Sequence, residues 1–268
     1  MRKYFFLLLV AVLFASCGTT STVPITGRKH RLLVDDNTML SLSTQQYQEY
    51  LRKAKKSTNK QNTEMVQRVG RKLATAVETY LKNNGYANEV ANFKWEFNLV
   101  QSNEVNAFCM PGGKIVVYEG ILPVAKDETS LAIVLGHEIA HAVAKHSAEQ
   151  MSKKKRSNAG LQIGTGVLSA VSKNQQLNNA ATKAASKGLE LLSLKYSRDN
   201  ESEADQMGLI FAAMAGYDPN ASIAFWQRMA SLSKSSTPVW QRSHPTDEKR
   251  ISDIHTKYLP QALKYYKK

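Results

Sequence analysis

Only two of the 268 residues are cysteine, Cys17 and Cys109. Cys17 closes an N-terminal leader, so an exported domain has no partner for an intramolecular disulfide around Cys109. Its stability has to come from elsewhere, packing first of all. Acidic residues are scarce beside basic ones, 22 against 36, for a formal charge of +14. Such a balance suits nucleic acid or an anionic lipid surface. The Lys and Arg residues are scattered apart from Lys153-Lys154-Lys155-Arg156, and no base-stacking motif accompanies them, so the chain is expected to bind no nucleic acid. After the leader, no apolar run approaches the ~18 residues of a spanning helix. There is no internal repeat and no redox-ligand spacing, which removes repeat scaffolds and electron carriers from consideration.

The leader itself has Arg2-Lys3, the apolar run Tyr4 to Leu13, then small residues to Cys17, the layout of a secretory signal. Leu13-Phe14-Ala15-Ser16-Cys17 resembles a bacterial lipobox, with Phe14 where that pattern usually has a smaller aliphatic residue. We therefore expect a signal peptide over 1–16, lipidation of Cys17 and a tether over 17–30. The Thr, Ser, Gly and Pro of residues 18–30 read as a linker, leaving one domain over 31–268. Gly18 after Cys17 resembles the default outer-membrane sorting case. The expected location is the outer membrane of the cell envelope, facing the periplasm and held there by the lipid anchor.

Two polar-faced helices are expected over Asp35 to Lys56 and Asn62 to Asn83. Phe93, Trp95, Phe97 and Leu99 then alternate with polar residues, as in a half-buried strand. Asn106 to Met110 and Lys114 to Tyr118 flank Pro111-Gly112-Gly113, a turn that closes a hairpin. An edge strand there would bind an extended or unfolded polypeptide through its backbone.

Immediately afterwards comes His137-Glu138-Ile139-Ala140-His141, on a helix expected from about Glu128 to Gln150. Helical spacing puts the two imidazoles about 40° apart around the axis, where a single zinc ion reaches both. Glu138, about 100° round from His137, is placed to hold a water against that ion and take its proton. The helix is apolar on almost every side, so its histidines and glutamate need partners, and a metal would satisfy them. His146, about 180° from His137 on a continuous helix, reads as structural.

A third ligand is sought in the segment Tyr196 to Asp205. Glu201 and Asp205 share a face at i, i+4, whereas Glu203 lies about 200° round the axis from Glu201. Glu201 is selected as ligand, with Asp205 behind it accepting from the second nitrogen of a ligand histidine. The 59 residues between His141 and Glu201 exceed what ligand geometry needs. Their middle, small and apolar over Ala159 to Val171 and then rich in Asn and Gln over Asn174 to Asn179, is expected to form a mobile cover over the cleft.

Together these residues resemble the zinc metallopeptidases that include HtpX, the CAAX prenyl endoproteases and the periplasmic protease BepA, all gluzincins. The likeness rests on Pro24-Ile25-Thr26-Gly27-Arg28, the Asn106 to Gly113 hairpin, His137-Glu138-x-x-His141 with His146 following, Ser197-Arg198-x-x-Glu201-x-x-Ala204-Asp205, and Ser243-His244-Pro245 with Arg250 and Ile251. It implies a mainly helical, zincin-like α+β domain with a small sheet whose edge hairpin precedes the motif helix. It also implies one zinc per chain held by His137, His141 and Glu201, with Glu138 as general base and Asp205 supporting a ligand. The expected activity is endoproteolysis of misfolded or misassembled envelope proteins. The competing expectation is an envelope chaperone or assembly factor with a structural or latent zinc.

His244 precedes a proline and is therefore extended and presentable. It either donates to the oxyanion, occupies a fourth zinc position that keeps the site latent, or is a surface residue in a turn. Arg250 either steadies the oxyanion or ties the loop to an acidic neighbour.

Overall fold

A computed structural model describes residues 18–169, 191–232, 240, 244 and 248–267. The leader, Cys17 and the part of the expected cover beyond residue 169 lie outside the described residues. The architecture is the expected helical α+β domain. Among the described residues no helix is long and apolar enough to cross a membrane.

The segment over 18–30 differs from the tether its composition suggests. Strand β1 (Thr19–Thr22) pairs antiparallel with β2 (Lys29–Leu32), Thr19 opposite Leu32 and Thr22 opposite Lys29. Between them Val23 is buried in the main core, and Ile25 and Gly27 adopt left-handed φ of 68° and 69°. The Pro and Gly here serve a tight turn, and Val23 together with the acid partners of Arg28 fastens it to the domain.

Helix α1 (Asp36–Lys53) is capped by Asp35 and α2 (Lys60–Asn83) by Asn59, each side chain accepting a first-turn amide hydrogen bond. Val66, Val69, Leu73, Val77 and Leu81 line one face of α2 and are completely buried. That face packs on a three-stranded sheet of order β3-β5-β4: β3 (Glu96–Val100), β4 (Ala107–Met110) and β5 (Lys114–Tyr118). β3 runs parallel to β5, and β4 antiparallel to it with Cys109 opposite Ile115. Gly112 and Gly113 close the hairpin at φ 83° and 78°, conformations glycine adopts without strain. The hairpin thus leaves β4 at the sheet edge beside the next helix.

That helix, α3 (Glu128–Val143), starts at the Asp127 cap and is buried around nearly its whole circumference. It does not continue to Gln150. Lys145 takes a left-handed φ of 55°, stabilised by its ammonium on Asp36 (2.7 Å) and Glu89 (3.0 Å), and the chain restarts as α4 (His146–Ser169). Helix α5 (Arg198–Met214) opens with Ser197 and Asn200 capping each other. It crosses α3 at two glycines, where a Cβ on Gly136 would lie 2.5 Å from the Gly208 carbonyl oxygen. Backbone therefore meets backbone at the level of His137. Helix α6 (Ala221–Leu232) covers α3 further along, and α7 (Glu248–Asp253) leads through a wide turn, Ile254–Tyr258, into α8 (Leu259–Ala262).

Candidate metal centre

The α3–α5 crossing brings the histidines of one helix against the carboxylates of the other. His137, His141, Glu201 and His244 are all buried, and one donor atom from each lies within 4.8 Å of the rest. His137 Nε2 is 3.1 Å from His141 Nε2, 3.3 Å from His244 Nδ1 and 3.5 Å from Glu201 Oε2. Glu201 Oε1 is 3.4 Å from His141 Nε2 and 3.0 Å from His244 Nδ1. A tetrahedral zinc with bonds of about 2.0–2.1 Å requires its donors about 3.3 Å apart. The donor set, two or three imidazoles and one carboxylate, is also the chemistry zinc selects. These residues fit the ion.

Electrostatics agree. Burial pushes the Glu201 carboxyl up, but His244, His137 and His141 outweigh it and hold it well below its ordinary value. Burial lowers His137, while Asp205 and Glu201 raise it to about 9, so the acidic pair draws positive charge to this point. Burial keeps His141 well below the usual imidazole range and therefore neutral.

Glu138 lies beside this cluster without belonging to it. Its Oε2 accepts the Cys109 amide of β4 at 3.1 Å, which fixes the carboxylate against the edge strand. Its Oε1 is buried with no hydrogen-bond partner, and the nearest cation-forming group is His244 Nε2 at 3.5 Å. An unsatisfied buried carboxylate oxygen is costly unless something occupies the space before it. Burial raises the Glu138 pKa, against the pull of His244 and His137. Glu138 lines a cleft of about 450 Å³, together with Phe108, Met110, Tyr118, Tyr196 and His244.

Asp205 accepts from His137 Nδ1 at 2.9 Å, the contact its spacing from Glu201 leads one to expect. Arg250 forks onto Asp205, Nε to Oδ2 and Nη2 to Oδ1, both at 2.7 Å, with its guanidinium 3.8 Å above the Trp226 ring. Of the two expected roles, the tie to an acidic neighbour is the one its contacts make, and it does not line the cleft. His244 is buried rather than a surface turn residue, with its ring stacked on Trp240 at 4.3 Å.

His146 and Glu203, read from the sequence as structural and as the glutamate turned from the metal, stay outside the donor cluster, but the contacts they make with His141 and each other have no counterpart in that reading. The break at Lys145 swings His146 back so that its Nδ1 lies 2.8 Å from His141 Nδ1, while its Nε2 meets Glu203 Oε2 at 2.9 Å. His146 following His141, and Arg28 in the Pro24 to Arg28 motif, are the signals in the sequence for this side of the centre.

Residues 60–257 match Peptidase family M48. The mitochondrial metalloendopeptidase OMA1 of Schizosaccharomyces pombe is 36% identical over 175 residues, 65% of this chain and 49% of that protein. Its Saccharomyces cerevisiae namesake is 28% identical over 280 residues, 99% of this chain and 76% of that protein. A putative beta-barrel assembly-enhancing protease of Vibrio cholerae is 33% identical over 182 residues, 65% of this chain and 37% of that protein. The matches thus span about half or less of two of these relatives.

Proposed function

The chain belongs to peptidase family M48, and from that premise we propose that it is a zinc-dependent endopeptidase of the bacterial envelope that cleaves misfolded or misassembled proteins. The observation that carries the reading is the tetrahedral spacing of the buried donors beside a carboxylate with one unpartnered oxygen. His137, His141 and Glu201 would hold one zinc. When bound, the ion would supply a Lewis acid and lower the pKa of water at an open position.

The remaining chemistry belongs to the chain. Glu138 takes the proton of the attacking water on its unpartnered Oε1 and returns it to the leaving amine. The Cys109 amide keeps that carboxylate from swinging away. Edge strand β4, whose Cys109 amide Glu138 takes, borders the cleft, so an extended polypeptide laid along it would have its scissile bond next to Glu138. Asp205, itself held by Arg250, fixes the tautomer of His137. The lipobox at Cys17 supports anchorage to the membrane, with the domain facing the periplasm.

His244 Nδ1, 3.0 Å from Glu201 and 3.3 Å from His137, stands where a fourth ligand would. That supports a latent centre, opened when substrate displaces the ring, over an oxyanion donor. The same placement favours a second reading, an envelope chaperone or assembly factor with a blocked zinc. Aggregation suppressed equally by parent and Glu138→Gln, with no turnover by either, would select it.

The deciding experiment measures zinc content and casein digestion together. Glu138→Gln should keep its zinc and lose cleavage by about 10²–10⁴-fold. Undiminished cleavage by Glu138→Gln would remove the assigned base.

A further inference from the structure

The two ligand histidines are backed unequally. His137 ends directly on Asp205, whereas His141 ends on another imidazole. The proton positions along that second arm follow from donor chemistry alone. An ionised carboxylate only accepts, so His146 donates to Glu203 from Nε2. In a neutral ring the opposite nitrogen then bears the lone pair, so His146 Nδ1 accepts and His141 Nδ1 donates. His141 is thereby left with its Nε2 lone pair turned toward Glu201.

Glu203 is in turn held from a part of the chain far away in sequence. Its Oε1 accepts the Thr26 hydroxyl at 2.5 Å, and its Oε2 accepts Arg28 Nε at 2.9 Å and Nη2 at 2.7 Å. Arg28 Nη2 also meets Glu149 on α4 at 2.8 Å, and His30 Nδ1 lies 3.3 Å from the same oxygen. Both residues that clamp Glu203 belong to the turn between β1 and β2, and neither approaches the donor cluster.

We propose that the Pro24 to Arg28 turn is a working part of the metal centre: Thr26 and Arg28 are positioning residues that act through Glu203 and His146 to set the tautomer and aim of His141. The proposal rests on the zinc reading above. Its consequence is that an N-terminal hairpin controls how tightly the ion is held without touching a ligand. Removing the clamp lets the Glu203 carboxylate rotate, and His146 loses the partner that keeps its proton on Nε2. His141 is then free to carry its own proton on the nitrogen that should bind metal.

The test uses the full chain and three variants, Arg28→Met, Arg28→Lys and Thr26→Val. Zinc retention is measured by chelator competition, and thermal midpoints are compared with and without added zinc. Arg28→Met should weaken zinc binding about 10–100-fold, the usual loss when a residue orienting a ligand is removed. Thr26→Val removes the hydroxyl on Glu203 and the acceptor of the Arg28 amide but keeps the guanidinium, and should shift it in the same direction by less. Arg28→Lys keeps one donor and should recover much of the loss. The zinc-induced rise in midpoint should shrink in Arg28→Met, and kcat should fall more than KM changes. A purely structural role would lower the midpoints with and without zinc equally. Variants that fold and hold zinc as tightly as the parent would overturn the inference. A parent that holds no zinc would bring down the reading beneath it instead.

Discussion

Helix α2 turns Arg71 and Lys72 to solvent and sets Val66, Val69, Leu73 and Val77 along one stripe. Helix α3 packs against the same core, has no comparable polar face, and carries His137, Glu138 and His141 inside it. The first helix is held by the removal of apolar surface from water, a non-directional effect that tolerates small adjustments. The second is held in addition by partners at fixed positions: Asp205 and Glu201 on α5, His146 on α4 and the Cys109 amide on β4. A core can therefore be continuous while its two halves obey different tolerances. Apolar truncation should cost stability on one side, and small displacements should cost ligand geometry on the other.

The largest expected effect that sharpens this contrast is Leu73→Ala on α2. It should cost about 2–5 kcal/mol in denaturant unfolding, as buried leucines do, while the folded fraction keeps its full zinc content. Loss of metal from folded Leu73→Ala protein would erase the distinction between the helices.

Next in size is a paired comparison of glycines. In Gly208→Ala the new methyl would sit 2.5 Å from the His137 nitrogen and 2.7 Å from the Gly136 carbonyl carbon, all backbone. Overpacking of this kind costs about 1–3 kcal/mol, and prising α5 from α3 should weaken zinc retention as well. In Gly70→Ala on α2 the methyl meets the Phe97 ring, a half-buried side chain that can swing outward. The better helix propensity of alanine, worth up to about 1 kcal/mol, offsets part of that clash. Equal losses of zinc from the two variants, measured by chelator competition, would mean that the glycine crossing does not set the ligand spacing.

The smallest effect concerns acid. Burial pushes the Glu149 carboxyl up, but hydrogen bonds with His30, Arg28 and Lys153 hold it well below the ordinary carboxylate value. The unfolded chain then binds the proton more readily, so this stabilisation is complete above about pH 4.3 and is lost as pH falls below it. Urea midpoints recorded from about pH 6 down to about pH 3 should decline less steeply in Arg28→Met than in the parent. Parallel declines would show that the Arg28 contact contributes nothing to acid stability.

How far this was readable beforehand follows the same division. The stripe of α2, the hairpin and the i, i+4 pairs His137/His141 and Glu201/Asp205 are periodic features, so spacing alone placed them on shared faces. Choosing Glu201 over Glu203 for the donor cluster was also a matter of angle around one helix. The separation of about 180° between His146 and His137 fails because it carries one helix across Lys145, and a left-handed lysine held by Asp36 and Glu89 has no signature in local spacing. Residues 18–30 are ambiguous in composition because Ser, Thr, Gly and Pro serve linkers and tight turns equally. What separated the two was the distant acids that Arg28 meets. His244 could be presented by its proline, but its stacking on Trp240 depends on packing that no pattern within the loop encodes.

The bend at Lys145 has a bearing on any attempt to transplant this centre. A designer who copied Glu128 to Val143 into another scaffold would carry over two imidazoles and the base. The ring that tells His141 which nitrogen to leave bare would stay behind. The smallest portable unit therefore adds, to the α5 turn that carries Glu201, Glu203 and Asp205, a helix, its kink and the first turn of the next helix with His146.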